Sequence, residues 1–434
     1  MTKGAGSAGS AATASAGSTS QSGASTVGSG GCVSPPGSAP GVTATQMKVS
    51  ITLVQVVGAA ANSSFGIETP SQQQAAYQAV IDSMNAAHGI ACRQVVPEFI
   101  TADPADQSGL EKTCLDIASS GVFAELDFGA YANYPQKDCY AQNHIPYFGA
   151  YQTTSGEAAQ FYPYIFDLDT IDSLYKDTVF ALAARGFFSP TNGFKKLGFI
   201  YDSCYPAVIS EETNWLQQAG LPSSQISSFD AGCPSTFSSP STLQQGILQF
   251  QRDGVTNVTT AEFVGDFANF TTIAQQQNFH PIYGVPDDSL VNISSGSMHP
   301  DYTNIANAIT ITASRDGENA TPGMTPTAGT AACNAIMAAH GLPPVYQQQD
   351  GAGGNVCDEL WMFKAAVEHA PALAQNALAT GLQAAGSVDF SFPEGPNNFA
   401  GAGNTVGGQY WRTDQFHSSC TCWQVIDPTF RPNY

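Results

Sequence analysis

The cysteines and histidines are the residues of this chain with the most versatile chemistry. The sequence of 434 residues contains ten cysteines and seven histidines, but no CxxC and no HExxH pattern. These patterns mark common zinc and redox sites, so their absence argues against both. We therefore expect an exported, oxidised protein whose cysteines form disulfide bonds. A cytosolic protein with buried free thiols is the alternative.

Nucleophilic and phosphate-binding motifs are also missing from the sequence. It has no GxSxG elbow, no GxxxxGK[ST] loop and no GxGxxG between a predicted strand and a helix. The histidines do not cluster with carboxylates, and His88 and His340 each precede a glycine where a helix is expected to end. We therefore predict a protein that is not an enzyme, with no catalytic residue, no metal and no cofactor.

Aromatic and polar residues follow several predicted strands, which is typical of a small-molecule site with apolar walls and a few placed polar groups. Ordinary loop residues are the alternative, since Asp and Thr also cap helices. No Arg lies near these strand ends, so we expect a zwitterion, an amide or a neutral ligand rather than a dicarboxylate or phosphate. The candidates are Tyr131, Tyr151 and Thr153 in the first half, and Tyr205, Glu262, Phe263 and Asp287 in the second.

Segments with the character of buried strands alternate with helical segments along most of the chain. This alternation predicts an α/β protein with two doubly wound parallel-sheet domains joined by a hinge, whose strand ends face each other across a cleft. Strands are predicted over 46–56, 93–102, 122–129 and 145–151, then over 195–203, 224–231, 255–263, 281–287 and 306–314. Helices are predicted over 70–89, 105–121, 134–143, 171–186, 206–220, 241–253, 266–278, 327–340 and 356–385.

The order of several short motifs carries a resemblance to a known family. The motifs are "QAAYQAVIDSMNAAHGI" followed by "RQVVPEFITADPAD", then "VFAELDFGAY", "HIPYFGAYQTT", "KKLGFIYDSCYPAVISEETNWLQQAG" and "NFHPIYGVPDD". In this order they resemble the type I periplasmic binding fold, and specifically the branched-chain amino-acid class of ABC-transporter substrate-binding proteins. The resemblance covers residues 46–315 and, more loosely, the helical region to 385.

The resemblance implies roles for some of the candidate residues. The segment that matches Tyr151–Thr153 offers backbone and hydroxyl contacts to a ligand carboxylate in the family. The acid that matches Asp287 binds the ammonium group of the ligand in the family. Phe65 lies where an aromatic residue of an early loop would cover the ligand. No Lys or Arg stands within ten positions of Asp287 in the sequence.

Composition and predicted elements divide the chain into five parts. Residues 1–40 form a disordered linker rich in Gly, Ser, Ala and Thr, which resembles the spacer of Gram-positive lipoproteins and implies a lipid anchor upstream. The aromatic and Cys-bearing tail is expected to form a hairpin that closes onto the hinge, with a surface patch for a partner as the alternative. The remaining parts are a first α/β lobe (41–168), a second lobe (169–305), a return to the first lobe with helices that span the lobes (306–385), and a Cys- and aromatic-rich tail (386–434).

Three disulfide bonds are predicted. Cys204 and Cys233 each follow a predicted strand by one to three residues, and the ends of sequence-adjacent parallel strands lie close together in this fold. Cys114–Cys139 and Cys333–Cys357 are each pairs about 25 residues apart. The partners of the other four cysteines are not assigned.

The charge of the chain limits the partners that it can bind. The net charge is −21, from 35 acidic and 14 basic residues, which argues against nucleic acid and anionic membrane surfaces as partners. We expect a monomeric, extracytoplasmic solute-binding protein that hands a small polar ligand to an ABC-transporter permease. The alternatives are an extracellular sensory domain of the same fold that feeds a signalling partner, and a secreted α/β enzyme.

Overall fold

The computed structural model describes most of the chain beyond the N-terminal linker. The residues that it describes are 26–27, 33–56, 62, 67–104, 106–127, 134–150, 153–203, 206–233, 238–261, 266–287, 299–345, 352–391 and 395–434. Most of the predicted linker therefore lies outside the described residues.

The first lobe is built on a five-stranded parallel sheet in the order β4-β3-β5-β6-β7. Its strands are β3 (Gln46–Val54), β4 (Gln94–Ala102), β5 (Ala124–Asp127), β6 (Tyr147–Gly149) and β7 (Ile165–Asp167). A separate two-stranded sheet joins β1 (Thr26–Val27) to β2 (Val33–Ser34).

Seven helices accompany the first sheet within the described ranges. α1 (Pro70–Ala86) packs against α9 (Ala328–Ala339) and α10 (Ala352–Glu368), whereas α2 (Gln107–Ser120) packs against α3 (Tyr134–Gln142). Thr69 and Gln72 form a capping box at the start of α1, and Gly121 ends α2 in the left-handed conformation that glycine adopts at least cost. The helices are α1 (Pro70–Ala86), α2 (Gln107–Ser120), α3 (Tyr134–Gln142), α4 (Ser155–Gln160), α9 (Ala328–Ala339), α10 (Ala352–Glu368) and α11 (Leu378–Ala385).

The second lobe is built on a seven-stranded sheet in the order β14-β13-β12-β11-β10-β8-β9. Five strands are parallel, and β13 and β14 form an antiparallel hairpin at one edge. The strands are β8 (Leu197–Tyr201), β9 (Ile226–Asp230), β10 (Asn257–Ala261), β11 (Ile282–Pro286), β12 (Ile309–Thr312), β13 (Tyr410–His417) and β14 (Cys422–Pro432). Its helices are α5 (Ile171–Ala184), α6 (Pro206–Gln218), α7 (Pro240–Asp253) and α8 (Asp266–Gln276).

Separate apolar cores hold the two lobes. The inner face of β3 is buried with α1, α9, α10 and α11 in the largest core, against which Trp361 packs from the side. In the second lobe, Phe416 and Trp423 of the terminal hairpin belong to one core, while Trp215 and Trp411 belong with α5 and α6 to another. Each lobe therefore has an apolar core of its own.

The chain passes between the two sheets three times: after β7, after β12 and before β13. The last passage contacts the first directly, because Asp167 pairs with Val406 and the amide of Gly408 donates to the carbonyl of Leu168 at 2.5 Å. We call this contact, residues 167–170 with 405–408, the hinge contact.

Three element predictions need correction. The helix predicted over 356–385 is two helices, because Pro371 follows the end of α10 and has no amide hydrogen to continue it. The crossover predicted near 162–170 contains a short strand, β7, of the first sheet. The predicted tail hairpin is present, but it extends the edge of the second sheet beside β12.

Disulfide bonds join elements in both lobes. Cys114–Cys139 links α2 to α3, and Cys333–Cys357 links α9 to α10, so both of these predicted pairs are present. Cys420–Cys422, which was not predicted, closes the tip of the β13–β14 hairpin. Cys92 and Cys233 are also disulfide-bonded. The predicted partner of Cys233, Cys204, lies outside the described residues.

Candidate functional site

The candidate ligand residues lie where strands of the two sheets end. Thr153 follows β6 in the first lobe, and Asp287 follows β11 in the second. Ligands of open α/β sheets bind at these carboxyl ends. Six further candidates lie outside the described residues, and they are Phe65, Tyr131, Tyr151, Tyr205, Glu262 and Phe263.

Thr153 is fixed against the first crossover between the lobes. It forms a parallel bridge with Thr170, and its carbonyl accepts a hydrogen bond from the amide of Ile171 at 3.1 Å. Its side chain is completely buried, and the Oγ1 atom has no hydrogen-bond partner among the described groups. A buried hydroxyl without a partner costs free energy, so this atom is suited to a group that the free protein lacks.

Thr154 and Glu157 hold the segment that carries Thr153. Thr154 caps α4, and Glu157 completes the capping box by accepting from the Thr154 amide at 3.0 Å. Glu157 also accepts from the buried ammonium of Lys137 in α3 at 2.8 Å. This ion pair therefore ties α3 to the loop after β6, and it positions the backbone around Thr153.

Asp287 is half-buried beside the second crossover between the lobes. The Thr312 hydroxyl, at the end of β12, donates to its Oδ2 atom. Thr312 in turn contacts the Ser314 hydroxyl at 2.7 Å and accepts from the Ser314 amide at 2.8 Å. The carboxylate is thereby oriented by the strand next to its own in the sheet.

Asp169 is connected to both candidate positions, and the sequence argument missed it. It lies next to Thr170, the bridge partner of Thr153. Burial raises the pKa of Asp169 well above its usual value, and the charges of Asp177, Asp167 and Asp287 raise it further. Asp287 of the second lobe is therefore close enough to Asp169 for the two carboxylates to repel each other.

Gly408 explains how Asp169 is accommodated at the hinge contact. A Cβ atom on Gly408 would lie 2.3 Å from the Cγ atom of Asp169, so only glycine allows this approach.

The sequence signal for Asp169 was the "FDLDT" run at 166–170, in which acids alternate with apolar residues. Alternation predicts a strand, but it does not reveal that both faces are covered.

A second buried acid, Asp414, lies in β13 of the same lobe as Asp287. Its carboxylate packs against Gly317. Burial raises the pKa of Asp414 to about 8. The charge of Arg412 lowers this pKa, whereas the charges of Asp316, Asp287 and Glu318 raise it further. The buried guanidinium of Arg412 donates to Glu318 at 2.5 Å. Arg315 and Arg412 both pair with Glu318, so the other acids at this end of the lobe are only partly compensated.

Buried acids also lie at the corresponding end of the first sheet. The Tyr147 hydroxyl donates to Asp127 at 3.0 Å, and Thr52 donates to Glu125. Burial raises the pKa of Glu125 to about 8, with the Asp127 charge adding to the shift. On the other side of β5, Tyr77 of α1 donates to Glu359 of α10.

Metal binding gains no support from this arrangement. Within the described ranges no group of three or more His, Cys, Asp or Glu side chains has a geometry that could hold a metal ion. No helix of the described chain is both long and apolar enough to cross a bilayer.

Comparison with solved structures places the fold in a known class. A periplasmic binding protein type 1 from Bordetella pertussis aligns with a TM-score of 0.64 at 11% identity, over 89% of this chain and 99% of its own. A branched-chain amino acid transporter substrate-binding protein from Streptococcus pneumoniae, in complex with isoleucine, gives 0.61 at 13% identity over 88% and 100%. A fatty acid ABC transporter substrate-binding protein from Thermomonospora curvata gives 0.62 at 14% identity over 93% and 95%.

Comparisons at the level of sequence found no relative. No protein-family model matches the chain, and no curated protein matches it. At the identities above, the structural likeness establishes the fold and not the ligand. The chain has the two-lobed type I periplasmic binding fold that the sequence resemblance implied.

Proposed function

We propose that this protein is the extracytoplasmic solute-binding component of an ABC importer. It captures a small polar ligand between its lobes and presents the closed form to a permease. The observation that carries the proposal is the position of two candidate residues at the strand ends of the two lobes: Thr153 pairs with Thr170 of the hinge contact, and the charge of Asp287 acts on the neighbouring Asp169. Structurally similar proteins that are substrate-binding components of ABC transporters support the same function.

The acid-rich strand ends favour a ligand with an ammonium group. Asp287 raises the pKa of both Asp169 and Asp414, so a cation beside Asp287 would relieve repulsion among all three. The buried Thr153 hydroxyl has no hydrogen-bond partner among the described groups, so it is suited to donate to a carboxylate or carbonyl at the opposite end of the ligand. An amino acid, an amide of one or a related amine fits both requirements.

The ligand can be found by measuring melting temperatures of the protein against a panel of amino acids, amides, polyols and aromatic acids. A ligand that binds only the folded protein raises the melting temperature, and the rise continues with the logarithm of the free ligand concentration above the Kd. We expect the hits to carry an ammonium group. Hits confined to acids without an amine would contradict the assignment of Asp287, although not the solute-binding function.

Small-angle scattering then tests capture between the lobes. With saturating ligand, the radius of gyration should fall as the lobes close, whereas a ligand bound elsewhere would leave it unchanged.

The Thr153→Val variant tests the role of the Thr153 hydroxyl in ligand binding, because it removes the hydroxyl and keeps the side-chain shape. We expect weaker binding and an unaltered fold, and tight binding by this variant would remove Thr153 from the site.

A further inference from the structure

The tip of the β13–β14 hairpin carries a disulfide bond unlike the others. Cys420 and Cys422 are only two residues apart, with Cα atoms separated by 5.2 Å. Cys420 and Thr421 are exposed and Cys422 is half-buried, whereas Cys333 and Cys357 are completely buried. Accessibility to a thiol therefore differs sharply between the two bonds.

A bond of this spacing does little to hold the fold. The stabilisation by a disulfide grows with the length of the loop that it closes, and here the loop is the shortest of those described. Phe416 and Trp423 face each other just below the tip, and Phe416 also stacks on Tyr302 at 5.5 Å. The buried rings of Phe416 and Trp423 anchor the hairpin whether the bond is closed or open.

The residue between the two cysteines is conformationally strained. Thr421 has a φ angle of 54°, in the left-handed region that a β-branched residue rarely adopts. Thr421 is also enclosed in the ring that the bond closes, and opening the ring removes one of the constraints on its conformation. Exposed and strained bonds are those that exchange most readily.

The tip of the hairpin itself contains no acidic side chain, although the protein is strongly acidic. From Gln415 to Ile426 the hairpin contains no Asp, Glu, Lys or Arg, although the chain as a whole carries a net charge of −21. The attacking species in exchange is a thiolate anion. Here it meets no carboxylate of the hairpin tip on its approach.

We propose that Cys420–Cys422 is a thiol–disulfide exchange site for low-molecular-weight thiols. A thiolate attacks Sγ of the exposed Cys420, forming a mixed disulfide, while the Cys420–Cys422 bond breaks and its electron pair leaves on the Cys422 sulfur. A second thiolate then releases the small molecule as its own disulfide, and both cysteines end as thiols after protonation by water. The site is separate from the hinge contact, because the tip lies at the end of β13 that points away from it.

The test follows the reduction of each bond in the folded, full-length protein. Reduced glutathione is added under native conditions, samples are quenched with iodoacetamide, and labelled peptides are quantified by mass spectrometry. We expect alkylation at Cys420 and Cys422 at least about tenfold faster than at Cys333 and Cys357. Equal rates, or prior reduction of the buried bond, would overturn the proposal.

Two variants test the exchange chemistry at the tip. Cys422→Ser leaves Cys420 as a thiol, which should take up one glutathione from oxidised glutathione, seen as a mass increase on that residue alone. Thr421→Asn places a residue that tolerates the left-handed region, and should shift the equilibrium toward the closed bond by about threefold. A Cys422→Ser protein without the adduct, or a Thr421→Asn protein with an unchanged equilibrium, would count against the site.

Discussion

Asp287 is the described residue whose replacement tests the proposed ligand chemistry most directly. If it holds a ligand ammonium, Asp287→Asn should weaken the binding of an amine ligand by about 2–5 kcal/mol, the range for breaking a buried charge pair. Asn still accepts the Thr312 hydrogen bond, so the melting temperature of the ligand-free protein should hardly change. Calorimetry measures the first effect and thermal denaturation the second.

The control for this variant is Asp116→Asn, which removes the same charge from an exposed helix surface. It should bind the ligand as the parent protein does. Asp287→Asn with parental affinity would make Asp287 an ordinary loop acid, and the ligand would then be neutral.

Lys137 provides a second residue-scale prediction, this time on stability. Its ammonium is completely buried against Glu157, so Lys137→Met leaves an uncompensated carboxylate in the interior. We expect a loss of about 3–5 kcal/mol in the free energy of unfolding, measured in urea. Lys112→Met breaks an exposed pair with Asp116 and should cost less than about 1 kcal/mol. Equal losses in the two variants would show that the buried pair adds nothing.

At the scale of elements, the link between α9 and α10 is expected to stabilise the first lobe. Replacing Cys333 and Cys357 with Ser opens a connection of 24 residues. Chain-entropy arguments give a loss of about 3 kcal/mol, against about 1–2 kcal/mol for the Cys420→Ser, Cys422→Ser protein. Chemical denaturation of both double variants checks the difference, and the reverse order would contradict it.

Elements were easier to predict from sequence than their assignment to a sheet. The periodicity over 46–56 and 70–89 predicted β3 and α1 because a buried strand and an amphipathic helix leave distinct patterns. The strand near 306–314 was also visible, but its pairing with β11 depends on contacts distant in sequence. Pro371 marks the break before α11 in the sequence, because the residue before a proline is disfavoured in the helical conformation.

The site was less predictable than the fold for a physical reason. Nothing in the local sequence distinguishes Asp169 and Asp414 from exposed acids. Their carboxylates are buried only because the folded chain covers both faces of the backbone around them. Burial and mutual repulsion are properties of the folded chain. Thr153 and Asp287 were identified because strand ends are visible in a sequence, and their roles in ligand binding stay predictions.

For the whole molecule, buried acids predict a dependence of stability on pH. Burial raises the pKa of Glu68 and Asp177 to about 7, and that of Glu125 and Asp414 to about 8. Between the unfolded values near 4 and these folded values, the folded protein binds more protons than the unfolded chain. Stability contributed by these groups is therefore present at low pH and lost as the pH rises toward 8.

The measurement is thermal denaturation of the ligand-free protein at pH 5.5 and 8.5. We expect the higher melting temperature at pH 5.5, with a difference of about 2–4 °C for each kcal/mol lost. Asp414→Asn removes one of the titrating groups and should reduce the difference. A melting temperature that rises toward pH 8.5 would contradict the assignment of protons to these buried acids.

The distribution of tryptophan over the two cores gives the protein an internal optical label. Of the four tryptophans in the chain, Trp361 alone packs on the first-lobe core, while Trp215, Trp411 and Trp423 belong to the second lobe. A variant with Phe at the three second-lobe positions would emit from the first lobe only. Its fluorescence would report unfolding of that lobe separately, so a stepwise loss of the two lobes could be distinguished from a single cooperative transition.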